Sequence, residues 1–250
     1  MTIFFAGSNI KRIFPGRRSQ SSRMNEATIL DLIVKQSVMP PYVSFAFLAS
    51  AILIAVGIMI RVSMKLVPQG IQNVIETIAE AMHVLVMDNL GHEWGGKFFP
   101  LIATLFMYIL VGNFFGLIPG FFSPTANINM TASMAVPIFL ATHYYGLRVH
   151  GFNYIKHFLG PIRSILALPL MALMFAIEVI SHLARPLTLS VRLFGNMIAK
   201  HIILIVLALL VPLLIPDFIL VLGLVVSIVQ AFVFTLLSTL YLAGAVEEAH

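Results

Sequence analysis

Residues 164–214 read SILALPLMALMFAIEVISHLARPLTLSVRLFGNMIAKHIILIVLALLVPLL, interrupted weakly by Pro169, Pro186 and Pro212, with Glu178, Arg185, Arg192 and Lys200 set inside apolar sequence. The composition favours helix throughout. A helix crosses the roughly 30 Å hydrocarbon core of a bilayer in about 20 residues, so this stretch is either two spans or one long, strongly tilted helix. Charge at bilayer depth is costly and is kept mainly where it faces a bundle interior or a water path. Four charged side chains in one apolar stretch therefore mark a membrane protein whose interior handles charge.

The rest of the chain agrees. Its 250 residues are 60% hydrophobic and 10% charged, against about 25% charged in an ordinary soluble domain. The expected fold is an all-α polytopic membrane protein of about five to six transmembrane helices, plus an interfacial amphipathic helix. No cysteine is present, which excludes a disulfide framework, a thiolate metal site and a cysteine nucleophile together. The net charge of +5 fits Lys and Arg held in cytoplasmic loops, and nucleic-acid binding is not expected.

Residues 1–41 read as a basic N-terminal arm and amphipathic segment, in which Lys11, Arg12, Arg17, Arg18 and Arg23 precede the first acid, Glu26. No long apolar core follows directly, which argues against a cleaved secretory signal, and Met24 is expected to be the physiological start. The membrane domain is 42–246. A first span, 42–60, stops at Arg61 and Lys65, placing that end on the cytoplasmic side. Residues 68–97 spread Glu76, Glu80, Asp88, Glu93 and Lys97 among apolar residues and read as the interfacial helix. Gly116, Pro119, Gly120 and Pro124 divide the next uncharged stretch into spans near 98–118 and 130–147. Arg148, Lys156 and Arg163 mark a return to the cytoplasmic side. Pro216-Asp217 is expected to turn the chain into a last span, 218–246, followed by a tail, 247–250.

Helical geometry sorts the polar residues. At about 100° per residue, Glu178, Ser181, His182, Arg185, Arg192 and Asn196 fall within roughly one-third of the circumference. Arg192 lies about 21 Å along the axis from Glu178 and about 14 Å from His201, and His201 points to the opposite side. The pattern suggests two half-paths with an arginine between them. Ser227, Gln230, Ser238 and Tyr241, with Thr235 on the margin, form a second stripe on the last helix. Guanidinium does not give up its proton, so Arg192 offers a permanent charge that a mobile carboxylate can visit. Glu178, His182 and His201 can exchange protons, while Asn, Gln, Ser and Thr organise water.

Ser190-Val191-Arg192-Leu193-Phe194-Gly195-Asn196-Met197 resembles the arginine segment of the subunit a family of F-type ATP synthases. Gln230-Ala231-Phe232-Val233-Phe234 resembles that family's last-helix glutamine motif. Asn113 to Pro119 and Pro124 to Asn129 look like its outer-side segments, and the motifs occur in the family's order from about Tyr42 to Tyr241. The resemblance implies a non-catalytic, proton-translocating subunit of ATP synthesis, its last two long helices packed against a rotating c-ring. Arg192 would face the ring carboxylates. Asn196, His201 and Gln230 would form the external half-channel, with Asn113, Thr125, Asn127 and Asn129 as weaker members. Glu178 and Ser181 would form the cytoplasmic half-channel, and His182 and Tyr241 are further candidates. The resemblance also implies as partners the c-ring, a peripheral-stalk subunit b, the other synthase subunits and the lipid bilayer, with no cofactor or metal. It implies a bacterial inner membrane, with the mitochondrial inner membrane as the alternative. Two positions depart from a common family pattern: Gly223 stands where an acid or histidine would oppose His201, and Gly116 where some members carry an acid. The external path is therefore expected to rely on His201 and water.

Plainer readings apply to other residues. Arg185, followed by Pro186, fits a structural role near a helix bend. A direct Glu178–Arg185 pair is not expected across about 10 Å of rise. His143, His150 and His157 recur every seven residues without a carboxylate and read as interfacial histidines. Two other functions compete. A self-sufficient secondary transporter requires paired halves with broken helices, and no such repeat is visible. A membrane hydrolase requires a nucleophile elbow or a His-Glu-x-x-His helix, and neither occurs. Nor is there a Gly-x-x-x-x-Gly-Lys-Ser/Thr loop, so nucleotide chemistry would lie in partner subunits.

Overall fold

The computed structural model describes residues 40–62, 70–118, 121–151, 168–210 and 215–246. The expectations for the N-terminal arm, Met24, Lys65, Pro119, Gly120, Lys156, His157, Arg163 and the C-terminal tail lie outside these residues. The described residues form α1 Pro41–Val62, α2 Ile71–Phe115, a 3₁₀ turn Pro124–Ala126, α3 Ile128–His150, α4 Leu168–Leu210 and α5 Ile215–Val246. Helix is what a bilayer demands of a single segment, because backbone groups without water must be satisfied within it. Hydroxyls follow the same rule: Ser50, Thr104, Thr142, Thr235, Ser238 and Thr239 each donate to the carbonyl four residues back.

Four helices are long and apolar enough to cross a membrane, namely α1, α2, α4 through Leu173–Leu207 and α5 through Leu220–Val246. The expected span at 130–147 is helical as α3, with 23 residues. That is length enough for about 35 Å, although Asn129, His143, Arg148 and His150 leave it less apolar than the other four.

Within 164–214, residues Leu168–Leu210 form one helix, not two. α4 has 43 residues with Pro186 inside it, a length of about 65 Å that cannot stand upright in a bilayer core of about 30 Å. The expected turn at Pro216-Asp217 also shifts. Both residues fall in the first turn of α5, where proline's fixed φ and missing N–H are tolerated.

The expected boundary between an interfacial helix and a span at 97/98 is not where the chain breaks. α2 runs 45 residues with one non-helical position, Gly91, at φ 70° and ψ 175°. An L side chain is strained there, so glycine decides the site of the kink. Glu93 and Lys97, expected on the interfacial segment, lie beyond the kink and pair with each other at 3.7 Å, while Lys97 Nζ sits 4.1 Å over the Trp94 ring.

The second half of α2 packs with α3, α4 and α5 around Phe106, Ile109, Met134, Leu189, Leu193, Ala231 and Phe234. α1 joins through Phe45 and Ala49 against Phe115. On α4 the buried Leu189, Leu193 and Met197 recur every four residues, so one side faces the bundle. The outer side carries exposed Leu187, Val191, Ile202 and Val206. On α5, Val221, Val225, Ile228 and Phe232 are likewise exposed.

Candidate functional site

α4 and α5 run antiparallel, and polar rungs connect them. Asn196 Nδ2 donates to Gln230 Oε1 at 2.6 Å, and Lys200 Nζ donates to Ser227 Oγ at 3.2 Å. At the other end the Arg185 guanidinium lies 5.2 Å over the Tyr241 ring. Arg185 and Lys200 are about 22 Å apart along the axis, and Arg192 lies between them. Arg192 is exposed on the open apolar face, and among the described residues no hydrogen bond or ion pair reaches it. Its neighbours Leu193 and Leu189 are buried, so the charge is held outward on a helix anchored from behind.

One polar cluster lies beyond Asn196. Asn113, fully buried, donates through Nδ2 to the Ser227 carbonyl at 3.1 Å and accepts from Thr125 Oγ1 at 2.7 Å. Ser123 Oγ lies 2.7 Å from Thr125 Oγ1 and donates to the Gly112 carbonyl at 2.8 Å. Ser227 Oγ, which receives Lys200, donates to the Gly223 carbonyl at 2.7 Å. The 3₁₀ turn, α2, α4 and α5 are thus tied by one chain of side chains. Gln230 Nε2 is buried with no partner among the described residues.

Both departures from the family pattern have a physical content. A Cβ at Gly116 would lie 3.1 Å from His201 Nε2 and 3.0 Å from Met197 Cε, so His201 closes onto the α2 backbone. At Gly223 a Cβ would lie 3.1 Å from Lys200 Cδ and 3.0 Å from Leu117 Cδ2. The stem of Lys200 occupies the space that a side chain at 223 would fill. Sequence reading left Lys200 without a place, although it lies one helical turn beyond Asn196.

The second cluster lies at the Glu178 end. His182 Nε2 is 3.3 Å from Glu178 Oε1, and the His143 and His182 rings meet edge to face with centroids 5.2 Å apart. Ile138, His143, His182, Arg185, Leu189 and Tyr241 are among the residues around a narrow cleft between α3, α4 and α5. Glu178 pairs with His182 rather than Arg185, and Arg185 finds Tyr241, worth about 0.5–2 kcal/mol as a cation–π contact. Sequence reading placed His143 with the interfacial histidines; the structure turns it into this cluster.

The other candidates separate. Ser181 is exposed and makes no contact that joins it to His182. Asn127 caps α3, its Oδ1 accepting from the Asn129 N–H at 2.9 Å, and the Asn129 side chain is exposed. The polar stripe expected on α5 splits, with Gln230 and Ser227 meeting α4 while Thr235 and Ser238 are buried on their own backbone.

The comparisons with known proteins follow the same lines. The family described as ATP synthase A chain matches residues 43–243. ATP synthase subunit a of Trichlorobacter lovleyi is 45% identical over 208 residues, covering 83% of this chain and 88% of that one. Subunit a of Geobacter sulfurreducens is 46% identical over the same shares, and subunit a 2 of Syntrophotalea carbinolica is 48% identical over 84% and 87%. A match that enters with the first helix and leaves near the end of the last covers both polar clusters and the arginine between them, and the chain belongs to the ATP synthase A chain family.

Proposed function

We propose that this chain is the stationary subunit a of an F-type ATP synthase membrane sector, forming two proton half-channels that load and unload the carboxylates of a c-ring. The observation that carries this is Arg192, a guanidinium with no partner among the described residues, on an exposed apolar helix face with a polar cluster toward either end. Exposed arginine in lipid is costly, and an ionised carboxylate arriving opposite it relieves that cost. A carboxylic acid that has taken up a proton is released from the arginine and can face lipid. Because Arg192 interrupts the polar route, a proton crosses only by riding the moving carboxylate, and directional flux becomes rotation.

Asn196, Gln230, Lys200, Ser227, Asn113, Thr125 and His201 belong to the external half-channel in this reading. Glu178 and His182 belong to the cytoplasmic one, with Ser181 at its margin. Asn127 and Asn129 shape the outer turn, and Tyr241 steadies Arg185. The ring docks on the open face of α4 and α5, while the peripheral stalk and remaining synthase subunits hold the chain still. The chain performs no nucleotide chemistry itself. The bacterial relatives support a multi-pass protein of a bacterial inner membrane over the mitochondrial alternative.

The test is Arg192→Ala in the assembled complex, read as gradient-driven ATP synthesis and as passive proton leak after removal of the catalytic head. Synthesis falls to background with assembly intact, and leak rises. Synthesis near the wild-type rate overturns the proposal and favours a self-sufficient transporter.

A further inference from the structure

We infer that α2 and α3 together present a surface for an anionic phospholipid of the cytoplasmic leaflet, with Lys97 and Arg148 facing the headgroup phosphate beside the Trp94 and Tyr144 rings. The surface uses no residue of the proton path. It rests only on the chain's crossing a membrane.

One side of α3 is graded along its length. Val136, Leu140, Tyr144 and Arg148 follow one another every four residues, and all four are exposed. Residues four apart share one side of a helix, so a single outward line passes from aliphatic side chains to a phenol to a guanidinium. That is the polarity order of a leaflet, from hydrocarbon through the interface, where Trp and Tyr collect, to the headgroups. A leaflet imposes this order on a helix that leaves it, whereas a face covered by protein needs no such gradient.

α2 repeats the order at the same depth. Leu101 is exposed, and one turn nearer the Gly91 kink comes Lys97, whose Nζ stands 4.1 Å over the Trp94 ring. The ammonium thus reaches along the helix toward the kink, as a lysine does when it carries its charge out of hydrocarbon. Tyr145 meets Trp94 and Phe98 edge to face, with centroids 5.9 and 4.7 Å away. Those contacts bring Lys97 and Arg148 level to within about one helical turn. Val149 and Val246, at the ends of α3 and α5, join the same cluster, so the rings mark one end of the bundle.

The charge is suited to a phosphate. Glu93 Oε1 lies 3.7 Å from Lys97 Nζ, and both side chains are more than half exposed, so water screens most of their attraction. Two cations against one carboxylate leave one net positive charge. A phosphate meets the Arg148 fork and the Lys97 point charge together. Phosphatidylglycerol brings only its negative charge, whereas phosphatidylcholine carries a cation that offsets it.

The chain has one Trp and no Cys, which supplies two probes. Trp94 fluorescence is measured in the full chain reconstituted in phosphatidylcholine vesicles holding a minor share of bromine-labelled lipid. Labelled phosphatidylglycerol should quench as though enriched about fivefold over labelled phosphatidylcholine, the preference of one basic charge at an anionic surface. Bromine near the headgroup should quench more than bromine at the chain end. Lys97→Gln combined with Arg148→Gln should abolish the preference and leave the depth unchanged. Glu93→Gln should raise the preference, and it decides the matter if the double variant does not fold. In the assembled complex, Tyr144→Cys bearing a photoreactive group should give a phospholipid adduct. Equal quenching by the two lipids, a preference that survives loss of both cations, or one indifferent to Glu93→Gln overturns the inference. Stronger quenching from the chain end overturns the depth, and an adduct to another subunit gives the face to a protein partner instead.

Discussion

Replacing Asn113 by Leu tests whether the polar chain between α2, the 3₁₀ turn and α5 holds the bundle together. The side chains are similar in size, so packing is nearly kept while two hydrogen bonds are lost, the donation to the Ser227 carbonyl at 3.1 Å and the acceptance from Thr125 Oγ1 at 2.7 Å. Side-chain hydrogen bonds within membrane bundles average about 0.6 kcal/mol and reach about 1.7, so the pair contributes about 1–3 kcal/mol. Thr125 keeps its contact with Ser123 Oγ at 2.7 Å, which places the loss toward the lower half of that range. The assay is unfolding of the purified protein in mixed micelles with increasing denaturing detergent, repeated for Thr125→Val and for the double variant. The double variant should cost less than the two singles added, by about 0.5 kcal/mol or more, because residues sharing one bond do not contribute independently. Unchanged stability of Asn113→Leu together with strict additivity would refute the reasoning and leave Asn113 bound in geometry but not in energy.

Two further outcomes follow from backbone and ring geometry. Gly91→Ala should destabilise the protein by about 1–3 kcal/mol, since φ 70° with ψ 175° is essentially reserved for glycine; detergent unfolding measures it, and Gly96→Ala, at a helical glycine with open space around it, should cost nothing comparable. Tyr241→Leu should lower stability by about 0.5–2 kcal/mol by removing the ring under Arg185, while Tyr241→Phe keeps the ring and should stay within about 0.5 kcal/mol of the wild type.

Much of this arrangement was legible from periodicity, and its limits are instructive. Angular spacing put Arg192 and His201 on opposite sides of one helix, and the structure has Arg192 on the open face and His201 beside Gly116. Periodicity reports which side a residue occupies and is silent about what another helix brings there. The Asn196–Gln230 and Lys200–Ser227 rungs and the His143–His182 contact therefore needed tertiary structure. The boundary at 97/98 was drawn from charge, yet the chain breaks at Gly91, because a positive φ leaves no trace in hydropathy. Asn127 carries a readable signal, an asparagine just before a helix. Glu178 and His182, four residues apart, are a site pair that local spacing alone brings together.

Gly223 has a consequence for how this chain can change over generations. A Cβ at 223 would stand 3.1 Å from the Lys200 stem and 3.0 Å from Leu117 Cδ2, so any side chain there requires both neighbours to give way slightly. Shortening the residue at 200 alone leaves the Leu117 contact in place. Position 223 is therefore tied to two other positions, 117 and 200, and a change there is easiest when both can yield.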